Sequence, residues 1–265
     1  MKLAGKIVVI TGAASGIGAA VARRFAAEGV AGLVLGDIQQ TPLVALAIEI
    51  NTTTASPIAL AVPSDVTQEA GVKALAAAAE KHFGRVDVFF SNAGLIRDGH
   101  EESPDADWML NWNIHVMAHV WAARAVVPGM LARGSGYLLS TSSAAGLLTS
   151  LPSASYAATK HAAIAFAENM AIRYGGKGIR VSVVCPQSVD TPLIRTRASG
   201  EKGAARVDGV ISSEALAHCV VEGVDAERFL ILPHPTVLTY FQRKATDYDR
   251  WLAGMRRFEE RLRSA

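Results

Sequence analysis

The sequence predicts a three-layer α/β fold: a seven-stranded parallel sheet covered by helices on both faces. Three observations predict it. Short aliphatic runs alternate in strict order with longer Ala-rich segments of helical period. The short runs are apolar without interruption, as strands covered on both faces must be. A glycine-rich turn, Thr11–Gly18, stands where the first strand gives way to the first helix.

Taken in order, the strand runs are residues 7–10, 33–35, a weaker one at 58–61, then 86–90, 137–139, 179–184 and 229–232. Between them, 17–27, 72–82, 108–131 and 156–174 carry the helical period. No Pro/Ser/Gly-rich linker, charge block or internal repeat interrupts this order, so the 265 residues read as one domain, 1–265. Periodicity fades over 193–209, where Arg, Ser, Gly and Lys collect, and this stretch is expected to be a mobile loop beside the substrate. The tail, 236–262, reads as an extra C-terminal helix. Trp251, Leu252, Met255, Phe258 and Leu262 fall near one face of it, suited to packing on the body or on a second subunit.

Composition narrows the class. Half the residues are hydrophobic, and 26 basic residues nearly balance 24 acidic ones, so a large core is available and no surface is built for nucleic acid. Cys185 and Cys219 sit on separate apolar runs and read as buried thiols of a reducing compartment. Lys2 and Lys6 ahead of the 7–10 run imitate a leader peptide, but Thr11-Gly12 ends the run after four residues. No stretch reaches the roughly 18–20 apolar residues of a membrane span. A cytoplasmic protein is expected.

The glycine-rich turn carries the first chemistry. Gly12, Ser15, Gly16, Ile17 and Gly18 offer a backbone without obstructing side chains, and free N–H groups at a helix start, to a diphosphate. Asp37, at the end of the next strand, can accept hydrogen bonds from both ribose hydroxyls of an adenosine and would repel a 2′-phosphate. Its neighbour Ile38, with Ala14 and Ser15, offers that phosphate no cation. NAD is therefore expected rather than NADP. Asp65-Val66 follows the third strand and can hold the adenine; Asp65 also reads as the N-cap of the next helix, with Gln68 completing a capping box. Asn92-Ala93-Gly94 ends the fourth strand with small residues, as backbone passing close to a ligand requires.

Tyr156 and Lys160 lie i,i+4 on a predicted helix and share one face. A free phenol, with a pKa of about 10, is a poor base at neutral pH. A neighbouring ammonium and the positive ring of an oxidised nicotinamide favour the phenolate, and lowering that pKa by roughly two to three units takes about 3–4 kcal/mol.

Together, Thr11–Gly18, Asp37, Asp65, Asn92-Ala93-Gly94, Asn113, Ser142-Ser143 and Tyr156-x-x-x-Lys160 resemble the short-chain dehydrogenase/reductase family over roughly residues 5–235, in family order and near family spacing. The resemblance implies a single Rossmann domain. It implies Tyr156 as general acid/base, Lys160 as the group that depresses the tyrosine pKa and holds the nicotinamide ribose, and Ser143 as hydrogen-bond partner of the substrate oxygen. Asn113 would hold a water relaying protons from Lys160. Ser143 matches the family interval to Tyr156; Ser142 would then face the interior. Pro186, Val189 and Thr191 would border the nicotinamide. Two departures stand out: Gln187 follows Pro186 where relatives usually have Gly, and the Asp-Gly-Gly ending common among family tetramers is missing. Family members pair through the helices equivalent to 108–131 and 156–174, so a homodimer or homotetramer is implied.

The expected activity is NAD-dependent interconversion of a secondary alcohol and a ketone. Leu95, Ile96, Ala145, Leu147, Leu148, Val189 and Leu193 are the candidate pocket lining and suit an apolar small-molecule substrate. The rivals are an NADP-linked carbonyl reductase, a non-catalytic dinucleotide-binding regulator and a methyltransferase. The intact Ser143, Tyr156 and Lys160 argue against the regulator, and a methyltransferase gains nothing from Tyr156 and Lys160. His115 and His119 have a zinc-compatible spacing but no evident third ligand. Trp108, Trp112 and Trp121 read as packing or interface residues, and Arg97 and His100 as solvated loop residues near the pocket mouth.

Overall fold

The computed structural model describes residues 1–195 and 207–264. The strands are β1 (Ile7–Thr11), β2 (Gly32–Asp37), β3 (Ala59–Pro63), β4 (Val88–Ser91), β5 (Gly136–Thr141), β6 (Ile179–Val184), β7 (Val189–Asp190), β8 (Ile211–Ser212) and β9 (Leu230–Ile231). Seven of them form one parallel sheet, as the sequence predicts, and its strand order is β3-β2-β1-β4-β5-β6-β9. The short pair β7–β8 stands apart from it and was not foreseen.

The helices are α1 (Gly16–Ala27), α2 (Gln40–Thr53), α3 (Glu69–Phe83), α4 (Asp105–Trp112), α5 (Ala118–Arg133), α6 (Ala154–Tyr174), α7 (Pro192–Arg195), α8 (Ser213–Asp225), α9 (Thr236–Thr246) and α10 (Tyr248–Ser264). Helices α1, α2 and α8 cover one face of the sheet, and α3, α5 and α6 the other. Strand alternation sends neighbouring side chains to opposite layers: Phe90 enters the α1 side and Phe89 the α3 side, both fully buried. Burying each contributes about 1.5–3 kcal/mol. Some buried polar groups tie elements together. Tyr137 Oη donates to Ser182 Oγ at 2.6 Å, and Ser182 Oγ donates to the Arg228 carbonyl at 2.5 Å, tying β5, β6 and the approach to β9. Burial pushes the Tyr137 phenol up to about 12.

Three expectations need correction. The helix expected at 108–131 is α4 and α5 joined by a π-turn, Asn113–Met117, in which Ala118 N–H reaches back five residues to the Asn113 carbonyl. One extra residue per turn inserts there, and periodicity alone does not reveal it. The combined run Asp105–Arg133 has the length and mean hydropathy of a helix that could cross a bilayer, but it packs as a core helix of the fold. Here 56% of its apolar window is buried within the fold. The tail is two helices rather than one: Asp247 is extended (φ −149°, ψ 92°), and its carboxylate accepts the Arg250 N–H at 3.0 Å, restarting the chain as α10. Asp65 is not a helix N-cap. It takes the Thr67 N–H and hydroxyl in a local turn, and α3 begins four residues later behind Gln68, whose side chain makes no capping bond. Of the loop expected at 193–209, residues 196–206 lie outside the described residues; 193–195 complete α7, and 207–208 form a turn ahead of β8.

Candidate active site

The strand order reverses between β1 and β4, and the loops leaving the carboxyl ends of these strands diverge there. A cleft of about 470 Å³ opens at this point. Most of its lining comes from strand ends that the sequence had marked, and α4, the turn after it and α6 complete it.

The β1–α1 turn supplies Gly12, Ser15, Gly16 and Ile17. Gly12 has φ +66°, and a Cβ on it would come within 2.7 Å of Ala93 Cα, so β1 and β4 close together only because no side chain is there. Gly18 lies behind this turn rather than on the cleft; a Cβ there would strike the Gly12 carbonyl. Ser15 makes no side-chain capping bond, which leaves the first-turn N–H groups of α1 available to an anion. Thr11 Oγ1 accepts the N–H groups of Asn92 and Ala93 at 2.9 and 3.0 Å. Asn92 Nδ2 donates to the Thr11 carbonyl at 3.0 Å, and Thr141 Oγ1 donates to Asn92 Oδ1 at 2.9 Å. Asn92 is thus the clamp of three strand ends, with Ala93 and Gly94 passing along the cleft floor.

Asp37 closes the far end. Its carboxylate accepts the Ala14 and Gln39 N–H groups at 3.0 and 2.9 Å and borders the cleft with Ile38, Asp65 and Val66. Ile38 is 71% exposed, a lone apolar side chain beside the carboxylate. Among the described residues lining the cleft, Lys160 is the only lysine or arginine.

The opposite end holds Ser143, Tyr156 and Lys160. Ser153 caps α6 by accepting the Tyr156 N–H at 3.2 Å, which fixes Tyr156 in the first turn. Lys160 is one turn on; its ammonium lies 5.5 Å from the Tyr156 ring centroid and donates to the Thr141 carbonyl at 3.0 Å. Burial without a carboxylate partner brings its pKa down to about 7. Ser143 begins a short 3₁₀ turn, accepting the Ala145 N–H at 3.1 Å, so its hydroxyl has a fixed orientation. Ser142 Oγ instead donates to the Lys160 carbonyl at 3.0 Å in the interior. Pro186, Val189 and Thr191 border the same end.

Some residues fall elsewhere. Asn113 sits on the π-turn and does not line the cleft. The turn brings in His115 instead, beside Leu110 and Ile114. His115 is fully buried, lies edge-on to the Tyr156 ring at 5.4 Å and approaches Thr159 Oγ1 at 3.0 Å. Burial, with Lys160 nearby, holds it well below the usual histidine range, a neutral ring. His119 is likewise brought down to about 3. A regular helix would set Asn113 and His115 on nearly opposite sides, so the Asn113 position gave no reason to place His115 at the cleft, and its spacing to His119 had suggested only a metal. Of the expected apolar lining, Leu95, Ile96, Val189 and Leu193 border the cleft. Ala145, Leu147 and Leu148 do not; they turn into the body. Arg97 pairs with Asp107 at 3.5 Å, and neither it nor His100 reaches the cleft. Gln39, Ser64, Thr67 and Ile194 border it without having been anticipated.

A parallel sheet with its crevice at the strand-order reversal, glycines at the first turn and an acid at the end of the second strand defines a Rossmann-type dinucleotide-binding protein. Residues 6–202 match the short chain dehydrogenase family, and the chain belongs to that family, the short-chain dehydrogenases/reductases. It is 37% identical, over 87% of its length and 84% of the relative's, to 1-deoxy-11-beta-hydroxypentalenate dehydrogenase of Streptomyces exfoliatus. Among solved structures, a short-chain dehydrogenase/reductase from Burkholderia phymatum in complex with NAD superposes with a TM-score of 0.83 at 29% identity, covering 94% of this chain and 96% of that one. L-Sorbose reductase from Gluconobacter frateurii, complexed with NADPH and L-sorbose, gives 0.77 at 29% identity, covering 88% and 95%. The family places the chain among oxidoreductases acting on alcohol and carbonyl groups with a nicotinamide dinucleotide.

Proposed function

We propose that this chain is an NAD-dependent dehydrogenase/reductase that interconverts a secondary alcohol and its ketone, with Tyr156 as general acid/base. The observation that carries the reading is the meeting of Ser143, Tyr156 and Lys160 at one end of a cleft whose other end is closed by Asp37. The bound dinucleotide supplies the hydride acceptor, or donor in reverse. The residues do the rest. Gly12, Ser15, Gly16 and Ile17 receive the diphosphate through backbone N–H groups. Asp37 receives the adenosine ribose, Asp65 and Val66 border the adenine, and Pro186, Val189 and Thr191 border the nicotinamide. The Ser143 hydroxyl holds the substrate oxygen, and the Tyr156 phenol takes its proton as the alcohol is oxidised. Lys160 stabilises the phenolate only while it is itself protonated.

NAD is favoured over NADP because a 2′-phosphate beside Asp37 would meet a carboxylate and Ile38, while Lys160, the only lysine or arginine among the described cleft residues, stands at the opposite end. Leu95, Ile96, Leu110, Ile114 and Leu193 line the reacting end and suit an apolar carbon skeleton. The relative named for dehydrogenation of a hydroxypentalenate supports an alcohol of that kind. Both cysteines are free, which fits a reducing, cytoplasmic setting. Exposed Met109 and Trp112 on α4 and Ile172 on α6 favour a homo-oligomer built through these helices.

The test is a screen of secondary alcohols with NAD and NADP, following the absorbance of the reduced cofactor. Turnover is expected with NAD, and Asp37→Ala is expected to shift the NAD:NADP ratio of kcat/KM toward NADP by at least about tenfold, roughly 1.4 kcal/mol. A native preference for NADP, or no effect of the substitution, would sink the assignment of Asp37.

A further inference from the structure

Helix α9 grips both chain segments that flank Ser143. Lys244, in its last turn, is only 5% exposed. Its ammonium donates to the carbonyls of Leu147 and Leu148 at 2.9 and 2.6 Å. It also stands 3.4 Å from His161 Nε2. His161 Nδ1 is 2.9 Å from the Ala157 carbonyl and must carry the ring proton there, which leaves Nε2 as an acceptor. Three protons thus meet three acceptors, and the rings of Trp251 and Tyr248 lie 4.9 and 5.4 Å from the nitrogen. A buried ammonium costs several kcal/mol unless its hydration is replaced this fully. The contacts fix the chain just after Ser143 and the turn of α6 just after Lys160.

The second grip is on Gln187, the residue standing where relatives usually have Gly. Its Nε2 donates to Asp208 Oδ2 at 2.9 Å, and Tyr240 Oη of α9 donates to Asp208 Oδ1 at 3.0 Å. The Gln187 N–H donates to Nδ1 of buried His234, two residues ahead of α9. The two gripped segments meet each other, since Ala144 N–H donates to the Pro186 carbonyl at 2.8 Å.

We infer that α9 is a positioning element for the reacting end of the cleft. Lys244 and the Tyr240–Asp208–Gln187 chain hold the Ser143 segment and the Pro186–Gln187 turn at the separation that the substrate's carbon skeleton must fit. Lys244 and Gln187 are therefore positioning residues that set substrate discrimination. This rests on the proposed alcohol/ketone activity, but the mechanical part stands independently of it.

The experiment compares Lys244→Met, Lys244→Arg and Gln187→Gly with the unaltered chain. Amide hydrogen exchange is followed over 143–149 and 186–190, dinucleotide binding is titrated, and kcat/KM is measured over alcohols of graded bulk. Lys244→Met and Gln187→Gly are expected to speed exchange in those two segments alone and to change the bulky-to-small ratio of kcat/KM by about tenfold, with dinucleotide affinity within about twofold. Lys244→Arg should recover part of the ratio. Gln187→Gly restores the usual family residue and guards against misfolding of the lysine variants. Unchanged exchange overturns the inference, and so does faster exchange with an unchanged ratio, which would make α9 a structural brace only. If the unaltered chain turned over no alcohol or ketone, the proposed function would fall, and the exchange measurements alone would decide the grip of α9.

Discussion

Lys160 carries the sharpest consequences at the scale of single residues. With a pKa brought down to about 7 in the fold against 10.5 for the free side chain, its ammonium is a destabilising charge in the unliganded protein. The unfolded chain binds the extra proton between those values, so this cost is complete below about pH 7 and fades as the pH rises toward 10.5. Lys160→Met should therefore raise the thermal midpoint of the unliganded protein below pH 7, with the gain shrinking through pH 7–10.5 in melts across that range. An equal gain at every pH would contradict the buried-charge account. Tyr156→Phe keeps the ring that packs against His115 and removes only the hydroxyl. It is expected to retain dinucleotide binding by titration and lose at least about 10²–10⁴-fold in kcat. Near-native turnover in that variant would rule out the acid/base role. Tyr156, Lys160 and Asp37 were legible because their chemistry and spacing are local in the chain. His115 was not, since its place depends on one inserted residue in a helical turn.

Elements were legible where burial dictates composition. All of β1 and β2 are buried, and such strands admit little but aliphatic residues and glycine. The order of alternation then sets the topology, because parallel neighbours need helical crossovers. Boundaries were less legible. The strand expected at 229–232 shortens to Leu230–Ile231, and the tail breaks at Asp247, where a carboxylate cap outweighs a continuous apolar stripe. The β5–β6 pair offers a test of packing apart from chemistry. Tyr137→Phe removes the donor to Ser182 while leaving Ser182 bonded to the Arg228 carbonyl. A loss of about 1 kcal/mol in denaturant unfolding is expected, with turnover unchanged. A loss near zero would mean that the buried phenol gains no more inside than it does from water.

Across the whole molecule, residues that meet in the cleft come from two consecutive stretches of chain. Those bordering Asp37 lie between Gly12 and Gly94, on β1 to β4 and the turn after it; those around Tyr156 lie between Leu95 and Ile194, with α9 behind them. The first stretch was almost wholly legible, since a strand end followed by glycines or an acid has few other readings. The second was legible only at its reacting groups, because what stands behind them is tertiary: a lysine 97 positions from Leu147, or a tyrosine 32 positions from Asp208. This division makes the fold modular by inheritance. Splice two related chains just past the β4 end, and the hybrid should take its coenzyme from the parent giving the first part and its alcohol from the parent giving the second. Kinetic comparison of reciprocal hybrids with both parents reads this directly, and a hybrid whose coenzyme followed the second parent would show that the two ends of the cleft are chosen together.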